Sequence, residues 1–183
     1  FYKENRERAF LGSNAVDRKT SIERNLNLVD NVEEKIRGKT LVEIDDSIVR
    51  GNNSAWAAYI LNDVAQVRKA YALSYTPPIG IIPSDNIARG CMFGVDTPPL
   101  ETDDHKFIAR GKSLDQISQE IGMDVRYLSV NGMLEVFEQL GIPRNNLCTY
   151  CIGGKHPFED LEERVRITQP ERQKSQPISV GIT

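Results

Sequence analysis

Between Thr40 and Tyr75 the chain passes through four segments whose order leaves few folds open. Thr40 to Ile44, with Leu41, Val42 and Ile44, reads as a short buried strand interrupted by Glu43, and Asp45 and Asp46 stand at its carboxyl end. A polar loop, 47–53, leads into Ser54 to Lys69, where Trp56, Ala57, Tyr59, Ile60, Leu61, Val64 and Val67 recur at helical spacing and predict one broad buried face. Ala70 to Tyr75 reads as a second strand, broken by Pro77 and Pro78. Strand, loop, helix, strand is a βαβ unit, which requires a parallel sheet with a right-handed crossover. The expected fold class is therefore α/β, with its ligand at the carboxyl ends of the strands, where the aspartate pair falls.

The flanking sequence fits around that unit. Residues 1–30 are polar and read as a mobile loop, and 31–37 as a short helix. Residues 79–111, rich in Gly, Pro and Asp, predict a long ordered loop carrying Cys91. Ser113 and Gln116 have the spacing of a capping box, with Leu114, Ile117 and Ile121 on one face and Gly122 as the stop. Asn131 to Leu140 reads as another helix, ended by Gly141 and Pro143, and the tail 169–183 as extended or disordered. The organisation expected is a sheet region over 1–111, a helical C-terminal region over 112–168 and the tail.

Charge excludes some partners. A net charge of -3 lacks the basic excess that nucleic acid or an anionic membrane demands. No apolar run reaches the roughly 18–20 residues of a membrane span, and no signal-like apolar segment follows the charged start, so a cytoplasmic location is expected. Phe1 in place of methionine reads as the mark of a fragment.

The chemistry concentrates at TLVEIDDSIVRGNNS, residues 40–54. Adjacent carboxylates in a continuing strand point to opposite faces, but at a strand end both can face a ligand in the crevice. They suit a divalent cation with its water shell, or the neighbouring hydroxyls of a sugar. The following turn enters a helix N-terminus, whose free N–H groups and positive dipole end attract an anion. Gly51 permits close backbone approach, and Ser47, Asn52, Asn53 and Ser54 can donate from side chains. Diol or metal recognition beside a phosphate cradle describes a ribose-5-phosphate site. The stretch has neither the Gly-x-x-x-x-Gly-Lys-Ser/Thr of a Walker loop nor the Gly-x-Gly-x-x-Gly of a dinucleotide fold.

LVEIDDSIVRGNNS resembles the phosphoribosyl-pyrophosphate motif of type I phosphoribosyltransferases. DDSIVRG in particular is similar to the glutamine-dependent amidophosphoribosyltransferases that begin purine synthesis. The resemblance extends to Lys3, Asn5, Arg6 and the run from Arg8 to Leu11, then to Tyr75–Pro78, Cys91–Pro98, Tyr127–Ser129 and Cys148–Cys151. It implies the second half of a type I phosphoribosyltransferase sheet with flanking helices, followed by a mainly helical and loop region. It also implies transfer of glutamine-derived ammonia to phosphoribosyl pyrophosphate, giving 5-phosphoribosylamine and pyrophosphate. Lys3, Arg6 and Arg8 would belong to a loop closing over the substrate, and Ser47, Ile48, Val49, Arg50, Gly51, Asn52, Asn53 and Ser54 would bind it, with Mg2+ at Asp45 and Asp46. Purine nucleotides as feedback ligands, a homo-oligomer and an N-terminal glutaminase domain absent from this chain are implied as well, and without that domain the fragment alone would be inactive.

Two departures stand out. Family members have Gly-Thr-Thr where this chain has Gly51-Asn52-Asn53, so amides replace the hydroxyl contacts to the 5′-phosphate. That substitution keeps a second class open, a regulatory module that binds phosphoribosyl pyrophosphate or nucleotide without turnover. A purine salvage phosphoribosyltransferase would share the aspartate loop but not the cysteines. Cys148-x-x-Cys151 with the distant Cys91 supplies three thiols, and four-cysteine sites hold zinc or a cubane cluster. Resemblance to the iron-sulfur subclass implies a [4Fe-4S] cluster on Cys91, Cys148 and Cys151 with its fourth ligand outside this chain. Zinc, or three unconnected thiols, are the alternatives. His156 reads as a surface histidine before Pro157 rather than a ligand.

Overall fold

The computed structural model describes residues 1–3, 26–91, 93, 97–99, 106–156, 158 and 160. Arg6, Arg8 and the tail 169–183 lie outside the described residues. Two short strands, β1 (Tyr2–Lys3) and β2 (Leu26–Asn27), pair antiparallel, with Lys3 opposite Leu26. A single helical turn and a half, α1 (Val32–Ile36), then leads to the main sheet.

That sheet has three parallel strands in the order β3-β4-β5, formed by Thr40–Asp45, Lys69–Ser74 and Asp124–Tyr127. The expected βαβ unit is present: helix α2 (Asn52–Tyr59) crosses between β3 and β4 and continues as a π-helical turn, Ile60–Val64. The helix starts two residues before Ser54 because Gly51 caps it in the left-handed conformation, φ 78°. It ends well before Lys69. Gln66 turns left-handed at φ 53°, and Arg68 N–H donates to Lys39 O at 2.8 Å, which starts β4 in register beside β3. The π turn, closed by Ala65 N–H to Ile60 O at 2.9 Å, shifts the helical face. Ala57, Ile60 and Leu61 are buried, whereas Tyr59 and Val64 are exposed, so the buried face is narrower than periodicity implies.

Helix α3 (Leu114–Ile121) opens with the capping box, Ser113 Oγ accepting from Gln116 N–H and Gln116 Oε1 from Ser113 N–H. Gly122 closes it at φ 84°. Its buried Ile117 and Ile121 each contribute about 1.5–3 kcal/mol by leaving water. They join Ala57, Ala58, Leu61, Ala70, Ala72 and Val125 in one core between the helices and one sheet face. The sheet therefore extends past residue 111, because β5 follows α3 directly; Val125 N–H donates to Ser118 Oγ at 3.0 Å and ties the two. Helix α4 (Val130–Gln139) is capped by Ser129 and buries no residue fully. On the far sheet face Val42 and Ile44 are 53% and 70% exposed.

The long loop after β4 is ordered by arginines. Arg110 donates from Nε to Gly80 O at 2.7 Å and from its two terminal nitrogens to Pro99 O and Arg89 O, so one planar cation joins three backbone segments. Arg89 is itself buried and pairs with Asp85 at 2.5 Å. Among the described residues no helix is long and apolar enough to cross a membrane.

Candidate functional site

The aspartate pair sits where the sheet ends. Asp45 is the last residue of β3, in register with Ser74 of β4, which is in turn beside Tyr127 of β5. Asp46 N–H donates back to Asp45 Oδ1 at 2.9 Å, and Ser47 Oγ donates to Asp46 Oδ1 at 3.1 Å. These bonds bend the chain out of the sheet and leave Asp46 exposed. Paired hard oxygen donors at such a bend suit Mg2+, which binds through one or two carboxylates and completes its shell with water and substrate phosphates.

The following turn divides by burial. Asn52 and Asn53 are exposed at the first turn of α2, and Ser47, Val49 and Arg50 are half-buried. Gly51 has no side chain to cap the helix, so the first-turn N–H groups have no side-chain acceptor from the cap position. Ile48 and Ser54 are each 2% exposed, unlike their neighbours Ser47, Val49, Asn52 and Asn53. Ile48 belongs to the core cluster beneath the turn, and Ser54 is buried in the first turn of α2. The turn is fixed from below by Ile108 N–H to Val49 O at 2.9 Å. Gly51 has a second role that its sequence context hides. A Cβ there would stand 2.4 Å from Ile108 Cδ1, so the missing side chain faces the core.

Below the pair, Glu43 shares the helix-facing side of β3, and its Oε2 is buried without a hydrogen-bond partner. Burial first, and then the Asp45 carboxylate, push its pKa up to about 7. The native state thus holds this proton more tightly than the unfolded chain does. Stability is fullest below the ordinary glutamate pKa and is lost as pH rises toward 7. Glu43→Gln is expected to raise stability near pH 8 by about 1–2 kcal/mol, after discounting for partial exposure, and to flatten the slope between about pH 4.5 and 7. Urea unfolding across that range checks it. At the end of β5 burial pushes the Tyr127 phenol up to about 12, which keeps it neutral.

Lys3 is placed by the backbone pairing of β1 with β2, and Leu26 O of β2 accepts from Trp56 Nε1 on α2 at 3.0 Å. Strand β2 therefore lies against the helix that follows the 47–53 turn. The structure brings Asp45, Asp46 and the 47–53 turn together.

The cysteines form a separate locus. All three are free; Cys148 is exposed, while Cys91 and Cys151 are half-buried. Burial first, and then the charges of Cys148 and Cys91, push the Cys151 thiol up. Three thiols are the donor chemistry that iron-sulfur clusters and zinc require. Among the described residues, however, no group of three or more His, Cys, Asp or Glu side chains is drawn close enough to hold a metal ion. His156 is buried rather than on the surface, because aromatic rings from three positions enclose it.

Parallel strands, carboxylates at a strand's carboxyl end and an amide-bearing turn into a helix make an α/β arrangement consistent with a type I phosphoribosyltransferase domain. Comparison with known proteins narrows the class. An amidophosphoribosyltransferase of Synechococcus elongatus is 34% identical over 158 residues, 85% of this chain and 28% of that protein. Those of Mycobacterium tuberculosis and Bacillus subtilis are each 32% identical, covering 83% and 86% of this chain and 26% and 30% of theirs. No protein-family model matches. The chain is homologous to part of the amidophosphoribosyltransferases, and it spans between a quarter and a third of the length of these relatives.

Proposed function

We propose that the chain is the phosphoribosyl-pyrophosphate-binding part of an amidophosphoribosyltransferase, the enzyme that opens de novo purine synthesis. The observation that carries this reading is the position of Asp45 and Asp46. The pair stands at the end of β3, directly before the 47–53 turn, in a chain similar to proteins of that name over most of its length.

In the complete protein, glutamine-derived ammonia attacks C1 of phosphoribosyl pyrophosphate. The C1–N bond forms as the bond from C1 to the pyrophosphate oxygen breaks, and no protein nucleophile is needed. Asp45 and Asp46 hold the ribose hydroxyls or the metal's water shell. The N–H groups at the start of α2, with the Ser47 hydroxyl and the Asn52 and Asn53 amides, receive the 5′-phosphate. Mg2+, when bound at the aspartates, supplies positive charge to the departing pyrophosphate. Lys3, Arg6 and Arg8 add charge from a closing loop, while Arg50 supports the turn.

The reading also includes a glutaminase domain elsewhere in the longer protein, a cytoplasmic homo-oligomer and feedback by purine nucleotides. A [4Fe-4S] cluster on Cys91, Cys148 and Cys151 with a fourth ligand from outside the chain would stabilise the C-terminal region without entering the transfer.

The full-length polypeptide supplied with ammonia, Mg2+ and phosphoribosyl pyrophosphate is expected to release pyrophosphate and form 5-phosphoribosylamine. Binding without turnover favours the regulatory module that Asn52 and Asn53 keep open. Failure to bind phosphoribosyl pyrophosphate overturns both.

A further inference from the structure

His156 is a buried imidazole that the proposed reaction does not use. It is 6% exposed and lies in a cage of rings. Its centroid is 5.2 Å from Tyr150, edge-on at 76°, 5.6 Å from Phe158 and 5.9 Å from Phe93. Phe93 and Phe158 meet edge-on at 6.3 Å and are themselves exposed, so they close over the imidazole from the solvent side. Nδ1 lies 3.1 Å from Phe158 N and 3.3 Å from Phe158 O. With the proton on Nε2 it accepts the Phe158 N–H, and with a proton on Nδ1 it donates to the carbonyl. Either tautomer ties the ring to the same backbone.

The residues of this cage have a particular place in the chain. Phe93 follows Cys91 by two residues, and Tyr150 stands between Cys148 and Cys151. The His156 ring therefore touches one residue beside each cysteine-bearing segment. A second tie runs alongside: Gly80 N–H donates to Cys151 O at 2.8 Å, and the Arg89 guanidinium lies 4.8 Å over the Tyr150 ring. That tie holds the 148–152 turn to the start of the long loop, around residues 80–89. It ends at Arg89, two residues before Cys91, while Phe93, two residues after it, meets this turn through His156. The aromatic contacts hold the segment that follows Cys91, alongside the Arg110 bonds that join Gly80, Arg89 and Pro99.

We propose that His156 is a positioning residue that docks the Cys91 segment onto the Cys148-x-x-Cys151 turn and so keeps the three thiols in one neighbourhood. The use made of those thiols rests on the cluster-bearing reading above. The docking itself rests on the rings.

Two measurements on the full chain separate the docking from that reading. The first is alkylation of each cysteine by iodoacetamide under native conditions, read by peptide mass, with melting recorded in parallel. In His156→Ala, Cys91 is expected to react at least about tenfold faster than in the wild-type chain, through local opening of its segment. Cys151, half-buried and held separately by Gly80, should change little, which global unfolding would not allow. His156→Phe keeps a ring in the cage and is expected to hold the Cys91 rate within about threefold of wild type. If His156→Ala does not fold, His156→Asn takes its place, because it retains an atom for the Phe158 backbone but no ring, with the same expected gain in rate. An unchanged Cys91 rate in the ring-less variant overturns the proposal, as does His156→Phe reacting as fast as that variant. The second measurement is Co2+ titration of the reduced chain. A thiolate-to-cobalt charge-transfer band is expected in wild type and a weaker one in the ring-less variant. A wild-type chain without the band counts against the thiols as a metal site, while the alkylation rates still decide the docking.

Discussion

Replacement of Asp45 and Asp46 together by asparagine is expected to weaken Mg2+-dependent binding of phosphoribosyl pyrophosphate by at least about 100-fold, since a hydrogen bond to a charged group is worth about 1.5–3 kcal/mol and 1.4 kcal/mol is tenfold. Asparagine preserves the shape of the turn. An amide oxygen at position 45 can still accept the Asp46 N–H, and one at position 46 the Ser47 hydroxyl, so both bonds that bend the chain out of β3 survive. What disappears is the negative charge that, in the proposed site, would gather a divalent cation and accept from ribose hydroxyls. The fall should therefore come with little change in melting temperature. Calorimetric titration with and without a chelator completes the test: removal of Mg2+ should weaken the wild type and leave the double variant nearly unaffected. Undiminished affinity in the variant would remove the site from the end of β3.

The legible parts of this fold are those whose signals are local. The βαβ unit shows in the sequence because the apolar residues of β3 and β4, the helical spacing of α2 and the capping box of α3 each form a short-range pattern. The aspartate pair is legible for the same reason, since a strand end next to a polar turn is read from neighbouring residues alone. Strand β5 is not. Its four residues, Asp124 to Tyr127, alternate too briefly and carry two charges, and they become a strand only because Ser118 and β4 accept and donate along them. The burial of His156 is hidden because Phe93, which covers it, belongs to a distant part of the chain. Arg110 leaves no sequence signal because its three acceptors are carbonyls, which are independent of side-chain identity. The same limit applies to Ser54. Its type fits a phosphate turn, but only the packed structure shows that it is buried.

Gly51 is where local reading and packing give different reasons for one residue, and a substitution distinguishes them. If the glycine served only close backbone approach to a phosphate, Gly51→Ala would lower ligand affinity and leave the apo chain largely intact. The structure places two further constraints on it. Alanine at φ 78° occupies the left-handed region, at a cost of about 1–2 kcal/mol. Its Cβ would also enter the space of Ile108 Cδ1, 2.4 Å away, and such overpacking costs about 1–3 kcal/mol. Gly51→Ala is thus expected to destabilise the apo chain by about 2–5 kcal/mol, measured by urea unfolding. Relief of the clash drives Ile108 away from Val49, whose carbonyl it supports, so the 47–53 turn loosens in the same step. Ile108→Val deletes the clashing Cδ1 and costs about 0.5–1.5 kcal/mol alone. Combined with Gly51→Ala it should restore the overpacking part of the loss and leave only the backbone part, so the double variant will be more stable than the two single effects sum to. Strict additivity would show that the strain at Gly51 is entirely in its backbone and that the turn does not depend on Ile108 for its position.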